Sequence, residues 1–384
     1  MSNQMRTTPG DLSNKDIPRD PIARAIAFYL PQFHPVPEND TWWGKGFTEW
    51  RNVTKAKPLF DGHYQPHLPG DLGFYDLRLA ESRKDQADMA RQFGIEGFCY
   101  WHYWFNGKRL LERPFNDVLK SQQPDFPFCL AWANETWSRR WLGEPKDVLM
   151  EQTYSDEDDL NHIRWLIRAF MDDRYMTVNG RPMFLIYRPS DLPNPQKTTD
   201  LFRSECLKNG INDPYLIGVN GHDVYRDFRK IGFDATLHFT PQLGILPEAF
   251  EDGPSATKSE RNLRLGVYSD ELKIYDYKES LKAMLSLRES LTYPTIPSIC
   301  VGWDNTPRRA EKAIILTKSD PEFYKNELSA LIDEQSAKPF NERLAFLNAW
   351  NEWAEGNHLE PDLQLGHQFL EATGSALCPA KSVG

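Results

Sequence analysis

The sequence predicts a (β/α)8 barrel of the α/β class, a TIM-type barrel with long loops after its strands. Short apolar runs alternate with segments of helical periodicity eight times over residues 23–377, and eight such units are the number that closes a parallel barrel. The runs are largely continuous in apolar character, as expected for parallel strands covered by helices. The loop after the first run, FHPVPENDTWWGKGF, contains neither GxGxxG nor a P-loop, which disfavours a doubly wound open sheet.

The eight predicted strands are short apolar runs, most of which end in polar or aromatic residues. They cover residues 25–33, 94–103, 127–133, 182–187, 215–220, 235–239, 296–303 and 344–350. In a barrel of this kind the carboxyl ends of all strands meet on one face, and the loops that follow them build the site. Residues just after each run are therefore the first candidates for function.

A predicted helix follows each strand, because apolar residues recur there at spacings of three and four. The helices lie near residues 79–93, 110–119, 156–172, 200–207, 224–230, 277–287, 321–333 and 365–372. Residues 1–22 are polar and are expected to form a disordered lead-in, residues 23–377 a single catalytic barrel, and residues 378–384 a short tail.

Composition argues against several classes of protein. The chain has 45 Lys and Arg against 55 Asp and Glu, a net charge of -10, and no basic run, so nucleic acid is not an expected partner. No stretch approaches the roughly 18 apolar residues of a membrane span, and the polar N-terminus does not resemble a signal peptide. The five cysteines are scattered without a CxxC pair, which favours a reducing compartment. We therefore expect a soluble cytoplasmic protein, whose oligomeric state the sequence leaves open.

Tryptophan is the most informative residue type in this sequence. Of the 12 tryptophans, all but Trp165 lie at the ends of predicted strands or in the loops that follow. Flat aromatic faces beside polar groups are how proteins hold sugar rings, so an oligosaccharide or polysaccharide is the expected ligand; for any single indole, a place in the barrel core is the alternative. The eleven are Trp42, Trp43, Trp50, Trp101, Trp104, Trp132, Trp137, Trp141, Trp303, Trp350 and Trp353.

Polar side chains occur in the same loops and are candidates for binding sugar hydroxyls. Each of them is also a candidate for a local loop hydrogen bond. Arg139 and Arg140 have two interpretations, because they could hold an anionic substituent or cover neighbouring indoles by cation–π contact. The remaining candidates are His34, Glu49, His102, Asn134, Glu135, Asn220, His238, Asp304 and Asn351.

The last predicted strand supplies a pair of carboxylates. Glu352 and Glu355 lie three residues apart where the apolar run ends, and Trp350 and Trp353 flank the first of them. Cleavage of a glycosidic bond needs one group that protonates the leaving oxygen and a second that assists at the sugar. Poorly hydrated surroundings can raise the pKa of one carboxyl and leave its partner ionised, but the spacing does not say which is which.

No metal or other cofactor is expected from the sequence. His63 and His67 have ligand-like spacing, but the glycine and proline around them break the helix that would place both rings on one face, so we expect loop residues. Asp158 and Asp159 are expected on the solvated face of a helix, where acidic residues suit the N-terminus.

Four segments of the chain resemble a known family. FYLPQFHP, ENDTWWGKGFTEW, AWANETWSRRW and NAWNEWAEGNHLEP are similar to segments of the WbsX-type proteins, the glycoside hydrolase family 99-like domain found in bacterial polysaccharide gene clusters. The similarity extends from Ala23 to the final predicted helix. The family is related to family 99 endo-α-mannosidases and mannanases, which are (β/α)8 barrels acting with retention, so the resemblance implies the same fold and a carbohydrate substrate.

The resemblance also implies roles for the two acids. In the related hydrolases an E-W-x-E-G motif after the last strand holds both catalytic carboxylates, and residues 352–356 match it here. Glu352 would act as a base on the sugar 2-hydroxyl to form a 1,2-anhydro intermediate, and Glu355 as the general acid, later the base for water. This route needs a 2-hydroxyl trans to the scissile bond, as in α-mannosides or β-glucosides. The chain departs from the hydrolases at Ala354 and Asn357, where they usually have His and Thr.

The leading hypothesis is a retaining glycosidase that hydrolyses a bacterial surface polysaccharide or O-antigen-type glycan. A glycosyltransferase of lipopolysaccharide biosynthesis is the first alternative, with Arg139 and Arg140 available for phosphate. A carbohydrate-binding barrel without turnover is the second. The sugar, its linkage and endo or exo action stay open.

Overall fold

Eight parallel strands close into a barrel surrounded by helices, which confirms the predicted (β/α)8 fold. The computed structural model describes residues 21–139, 144–246 and 272–379. Neighbouring strands pair in chain order, and the last pairs with the first through Ala25 and Ala345 to close the barrel. The strands are β1 (Arg24–Tyr29), β2 (Ile95–Phe105), β3 (Phe128–Trp132), β4 (Arg181–Ile186), β5 (Tyr215–Val219), β6 (Ala235–His238), β7 (Ile296–Cys300) and β8 (Leu344–Asn348).

The helices cover the outside of the barrel and extend over its carboxyl-terminal face. Side chains of Ser155, Asn194, Asp276 and Asp320 accept hydrogen bonds from the first backbone N–H groups of four of them, which satisfies donors that a helix start leaves unpaired. The helices are α1 (Pro37–Trp43), α2 (Glu49–Lys55), α3 (Ala80–Gln92), α4 (Arg113–Ser121), α5 (Asp156–Phe170), α6 (Pro195–Lys208), α7 (Tyr277–Glu289), α8 (Thr306–Arg309), α9 (Pro321–Asp333) and α10 (Gln368–Leu377).

The predicted helix near residues 224–230 is wrong. The chain forms only a 3-10 turn at Phe228–Ile231 there, and Gly232 ends it with a φ of 102°. Two short helices, α1 and α2, occupy the long loop after β1, where no helix was predicted. They are only seven residues each, too short for a helical period to be recognised in the sequence.

Three short strands form a second sheet beside the barrel, and this sheet was also not predicted. It consists of Lys273–Asp276, Ile314–Thr317 and Trp303–Asp304, with Ile314–Thr317 in the middle. Trp303 and Asp304, expected at the end of the seventh barrel strand, lie in this sheet after β7 has ended. This second sheet holds in place the start of the loop that leads to α8.

The expectation that Asp158 and Asp159 lie on a solvated face is wrong. Their exposed fractions are 3% and 7%. Asp158 accepts a hydrogen bond from the indole N–H of Trp104 at 2.9 Å, and Asp159 accepts one from the hydroxyl of Thr198 at 2.6 Å. Their place in the first turn of α5 was correct, but β2 and α6 pack over that turn and bury it.

Two expectations concern the chain ends. Residues 1–20 and 380–384, which contain most of the predicted lead-in and tail, lie outside the described residues. Within the described residues, no helix combines the length and the apolar character that crossing a membrane requires.

Candidate active site

Four charged side chains meet at the carboxyl-terminal face of the barrel. Arg308 of α8 donates from Nε to Glu49 at 2.8 Å, from Nη1 to Glu355 at 2.5 Å and from Nη2 to Glu352 at 3.4 Å. Residues 49, 308 and 352–355 come from the loops after β1, β7 and β8, and Arg308 and Glu49, which are bonded to each other, are 259 positions apart. We call Glu49, Arg308, Glu352 and Glu355 the acid cluster.

The acid cluster is nearly enclosed by protein. The side chains of Glu352 and Glu355 are each 11% exposed and that of Arg308 is 13% exposed, whereas Glu49 is 1% exposed. Charges so poorly hydrated interact strongly, and one guanidinium cannot neutralise three carboxylates. The exposed fractions of Glu352 and Glu355 leave them a narrow path to solvent, whereas Glu49 is almost completely buried.

Burial decides the protonation of the two acids. Burial, and then the charge of Glu355, raises the pKa of Glu352 to about 8, although Arg308 opposes the shift. Burial also raises the pKa of Glu355, against the opposing charge of Arg308. Because the guanidinium is closer to Glu355, we place the negative charge of the pair on Glu355 and the proton on Glu352. One acid protonated beside one ionised is the state that sugar chemistry uses.

A tight hairpin holds the two acids in place after β8. Asn351 and Glu352 pair with His358 and Asn357 in an antiparallel hairpin, and a 3-10 turn at Trp353–Glu355 connects them. Gly356 ends this turn with a φ of 57°, in the left-handed region. A Cβ at this position would lie 2.9 Å from Cβ of Asp304, so a residue without a side chain is needed.

Asn351 connects this hairpin to the end of β1, the first strand of the barrel. Its side-chain oxygen accepts from the N–H of Leu30 at 2.7 Å, and its amide donates to the carbonyl of Leu30 at 3.1 Å and to Tyr75. The side chain thereby replaces a peptide group where β1 ends. Asn351, expected to bind hydroxyls, instead aligns the backbone that carries Glu352.

Three tryptophans expected in a stacking surface are buried in the core. Trp132, Trp350 and Trp353 are all 0% exposed. The indole N–H of Trp132 donates to the carbonyl of Trp104, and that of Trp353 donates to Glu360 at 2.5 Å. Their faces are therefore covered by protein and not available to a sugar.

The other tryptophans differ in their exposure. Trp50 is buried and donates to the carbonyl of Tyr75 at 2.8 Å. Trp42, Trp43, Trp101, Trp137 and Trp303 are half-buried, and Trp42 lies edge-on to Trp137 with their centroids 5.9 Å apart. These five indoles have the exposure that a sugar-binding surface requires.

The three predicted histidines are buried and neutral. Burial lowers the pKa of His34 to about 4 and that of His238 to about 3. His102 lies 3.0 Å from His162 between their Nε2 atoms and stacks on Trp165, and burial lowers its pKa as well. Uncharged imidazoles in this environment are suited to packing and hydrogen bonding rather than to holding an anion.

The remaining predicted polar residues mostly bond within the protein. Asn134 donates to Tyr154 and to the carbonyl of Arg188, and Asn220 accepts from Gln242 at 2.9 Å. Both asparagines are 0% exposed. Asn134 and Asn220 thus shape the loops around the opening.

Two predicted acids, Glu135 and Asp304, also pair with neighbouring side chains, but only Glu135 is partly exposed. Glu135 pairs with Arg188 at 2.7 Å and keeps 38% of its side chain exposed. The carboxylate of Asp304 accepts from His63 and Gln65, each at 2.7 Å. Since Nδ1 of His63 accepts from the N–H of Leu59, its Nε2 carries the hydrogen. His63 is thus a loop residue that positions Asp304. Arg140 lies outside the described residues.

Arg308 is the most important residue that the sequence did not indicate. Its three partners raise the pKa of its guanidinium despite burial. The only signal was its place after the seventh strand. Tyr103 and Tyr187 were also missed: burial and then the charge of Glu352 raise the pKa of Tyr103, and burial, Glu135 and Glu355 raise that of Tyr187, so both phenols lie within the field of the acid cluster.

Sequence comparison finds one family and two relatives. A model of the family described as "Glycosyltransferase WbsX" matches residues 25–373. Two proteins of Xanthomonas campestris pv. campestris, both called "Uncharacterized protein WxcX", are 43% and 44% identical over 368 residues. The matches cover 96% of this chain and 51% of each relative, so the chain spans about half the length of the curated relatives it matches.

Structural comparison finds glycoside hydrolase folds. A structure described as a "Glycoside hydrolase-like protein" superposes with a TM-score of 0.57, at 14% identity, over 97% of this chain and 98% of its own. The GH99 endo-alpha-mannosidase from Bacteroides thetaiotaomicron gives 0.54, also at 14% identity, over 92% and 96%. At such low identity these likenesses establish the shared barrel fold.

Proposed function

The chain belongs to the WbsX family, and we propose that it is a retaining glycosidase acting on a bacterial surface polysaccharide. The observation that carries the proposal is the acid cluster: two carboxyls of raised pKa at the opening of a barrel, held by one guanidinium. This arrangement is suited to moving a proton onto a leaving oxygen. The GH99 fold of the structural neighbour supports a carbohydrate substrate.

In the proposed reaction Glu352 takes the proton of the sugar 2-hydroxyl, and O2 attacks C1. The bond from C1 to the leaving oxygen breaks as Glu355 donates its proton to that oxygen, which leaves a 1,2-anhydro sugar. Water then attacks C1 and gives a proton to Glu355, while Glu352 returns its proton to O2. Two inversions at C1 give net retention, and the substrate needs a 2-hydroxyl trans to the scissile bond.

For these roles, substrate binding must move the proton of the pair from Glu352 to Glu355. A sugar hydroxyl that donates to Glu352 favours its ionised form and thus lowers its pKa. The proton is then held better by Glu355, provided that its hydrogen bond from Arg308 lengthens. We propose that Arg308 then turns towards Glu49 and Glu352, so that the total charge of the acid cluster does not change.

The half-buried indoles Trp42, Trp43, Trp101, Trp137 and Trp303 are proposed to stack on sugar rings. Glu135 is proposed to accept from a hydroxyl, because its side chain keeps contact with solvent. Trp101 lies in the carboxyl-terminal half of β2, and the other groups lie in segments that follow β1, β3 and β7, on the face where ligands of this fold bind.

The family description favours a glycosyltransferase as the second candidate. A transferase would have to bind the phosphates of an activated sugar donor. Arg308 already pairs with three carboxylates, which leaves an excess of negative charge that repels a diphosphate. For this reason the hydrolase is preferred.

The test compares wild type with Glu352→Gln and Glu355→Gln on O-antigen-type polysaccharides and α-mannan oligosaccharides, following new reducing ends and product anomers by NMR. Wild type is expected to release products of retained configuration. Glu352→Gln should be inactive on every substrate. Glu355→Gln should keep activity only on aryl glycosides with good leaving groups, which need no protonation.

Other outcomes point elsewhere. The reverse pattern in the two variants would exchange the roles of the acids. Transfer from a nucleotide sugar without hydrolysis would favour the second candidate. Equal turnover by wild type and the Glu352→Gln/Glu355→Gln double variant would refute the assignment of the site.

A further inference from the structure

A second cluster of polar side chains lies behind the acid cluster and takes no part in the proposed reaction. Nδ1 of His67 lies 2.8 Å from Nε2 of His358, and this Nε2 lies 3.9 Å from Oδ2 of Asp362. The three atoms are all within 4.8 Å of one another. His67 comes from the loop between α2 and α3, whereas His358 ends the hairpin of the acids and Asp362 follows it.

Hydrogen bonds to residues outside the cluster direct one ligand atom of His358 and one of Asp362 towards it. Nδ1 of His358 lies 2.9 Å from the carbonyl of Glu360, so it carries the hydrogen and Nε2 keeps its lone pair. Oδ1 of Asp362 accepts from the N–H groups of Gln364 and Leu365, which leaves Oδ2 for the cluster. Such outer bonds are typical of residues that bind metals, because they fix the tautomer and the direction of each ligand atom.

Aromatic neighbours fix the planes of both imidazoles. Tyr64 stacks on His67 with centroids 4.2 Å apart, and Trp353 stacks on His358 at 3.7 Å. Neither ring can turn its nitrogen away without losing this contact. The ligand atoms are thus already oriented before any ion arrives, which lowers the cost of binding.

The spacing and the free volume both suit a small cation. Ligands about 2.1 Å from a tetrahedral Zn²⁺ lie about 3.4 Å from one another. The distances of 2.8 Å and 3.9 Å, each measured from Nε2 of His358, lie on either side of this value. A cavity of about 40 Å³, lined by all three residues and by Ser319, has room for a water as fourth ligand.

We propose that His67, His358 and Asp362 bind a divalent transition-metal ion, Zn²⁺ before others, with water completing the coordination. Two imidazoles and one carboxylate suit zinc, whereas Mg²⁺ and Ca²⁺ prefer oxygen ligands alone. The ion takes the place of the proton between the two imidazoles, and that proton moves by exchange with solvent to Nε2 of His67, so that both imidazoles bind the ion in their neutral form. The bound ion joins the loop of His67 to the hairpin of Glu352 and Glu355, and acts as a structural clamp.

The test uses the full chain, free of any affinity tag and stripped with a chelator, and titrates it with ZnCl2 by calorimetry. We expect one ion per chain, a rise in Tm on adding Zn²⁺, and with Co²⁺ the visible absorption of a tetrahedral site. His67→Ala and Asp362→Asn should each weaken binding by about a hundredfold or more. His367→Ala removes a neighbouring histidine that pairs with Asp71, and this control should bind zinc like wild type.

The outcomes separate clearly. Absence of zinc binding by folded wild type would overturn the proposal. Unchanged stoichiometry and affinity in both ligand variants would also overturn it, since another group, such as a cysteine, would then hold the ion. Asp362→Asn keeps the shape of the side chain, so circular dichroism of this variant separates loss of a ligand from loss of the fold. None of these measurements requires catalytic activity.

Discussion

Nη1 of Arg308 lies 2.5 Å from Oε1 of Glu355, and the same guanidinium contacts Glu49 and Glu352. One cation therefore holds three buried carboxylates that belong to loops distant in sequence. A buried charge that loses its partner is strongly destabilising. The stability of the fold and the protonation of the site thus depend on the same side chain.

Removing the charge of Arg308 should destabilise the protein and abolish turnover. Arg308→Gln removes the cation that pairs with the ionised carboxylates of the acid cluster, so the free energy of unfolding near neutral pH should fall by about 3–5 kcal/mol. Urea denaturation measures this loss. Arg309→Gln, a change of the next residue in α8, should cost within about 0.5 kcal/mol.

A double variant tests the cause of that loss. Glu49→Gln added to Arg308→Gln removes one of the repelling carboxylates, so part of the lost stability should return. Strictly additive losses in the two variants would show that the pair does not interact.

The buried carboxyl of Glu352 should make stability fall as pH rises. Its pKa is about 8 in the folded protein against an ordinary 4.5, so between these values the folded state holds a proton that the unfolded state has lost. In this window wild type should lose up to about 1.4 kcal/mol per pH unit relative to Glu352→Gln. Below the window the difference should be constant.

Urea denaturation of both proteins between about pH 5 and pH 8 measures this difference. Titrating groups outside the acid cluster affect wild type and variant alike and therefore cancel. Glu371→Gln, in an exposed position on α10, should follow wild type at every pH. Parallel curves for wild type and Glu352→Gln would rule out a raised pKa at this residue.

Gly356 should tolerate alanine less well than Gly366 does. Both have positive φ, 57° and 55°, so both substitutions have the cost of a left-handed residue, about 1–2 kcal/mol. Only at Gly356 would the new Cβ meet Asp304, at 2.9 Å. The free energy of unfolding of Gly356→Ala should therefore be about 1 kcal/mol lower than that of Gly366→Ala. Tm and urea denaturation measure this difference. Equal losses would mean that Asp304 moves aside freely.

Glu360 should not be replaceable by glutamine. Its two oxygens accept from Trp353, Tyr75 and Gln86, and the amide nitrogen of glutamine would have to face at least one of these donors. Glu360→Gln should lower the free energy of unfolding by about 1–3 kcal/mol and change the tryptophan fluorescence. Glu289→Gln, at an exposed position near the end of α7, is the control. A variant as stable as wild type would show that water or a shifted side chain satisfies the donors.

The barrel was predictable because each of its units is local. A short apolar run followed by helical spacing identifies a strand and helix within about 30 residues, and this pattern located all eight barrel strands. The helix predicted near residues 224–230 failed because the segment is short and Gly232 ends it. The helices α1 and α2 were not predicted because they too are short.

The candidate site was predictable only in part. Glu352 and Glu355 stand out because they follow an apolar strand, whereas Arg308 has partners up to 259 positions away and nothing nearby marks it. Sequence also gave the positions of Trp132, Trp350 and Trp353 after strands but not their burial. Whether an indole at a strand end faces solvent or core depends on how the loops fold over it, and this is a tertiary property.

The two hydrogen bonds between Asn351 and Leu30 have a consequence for biosynthesis. They connect positions 321 residues apart, and a ribosome delivers Leu30 long before Asn351. Until then the peptide group at the end of β1 has neither this donor nor this acceptor, and the hairpin with Glu352 and Glu355 does not exist. The nascent chain consequently gains its acid pair only after nearly the whole barrel has been synthesised, so the site cannot assemble before that point.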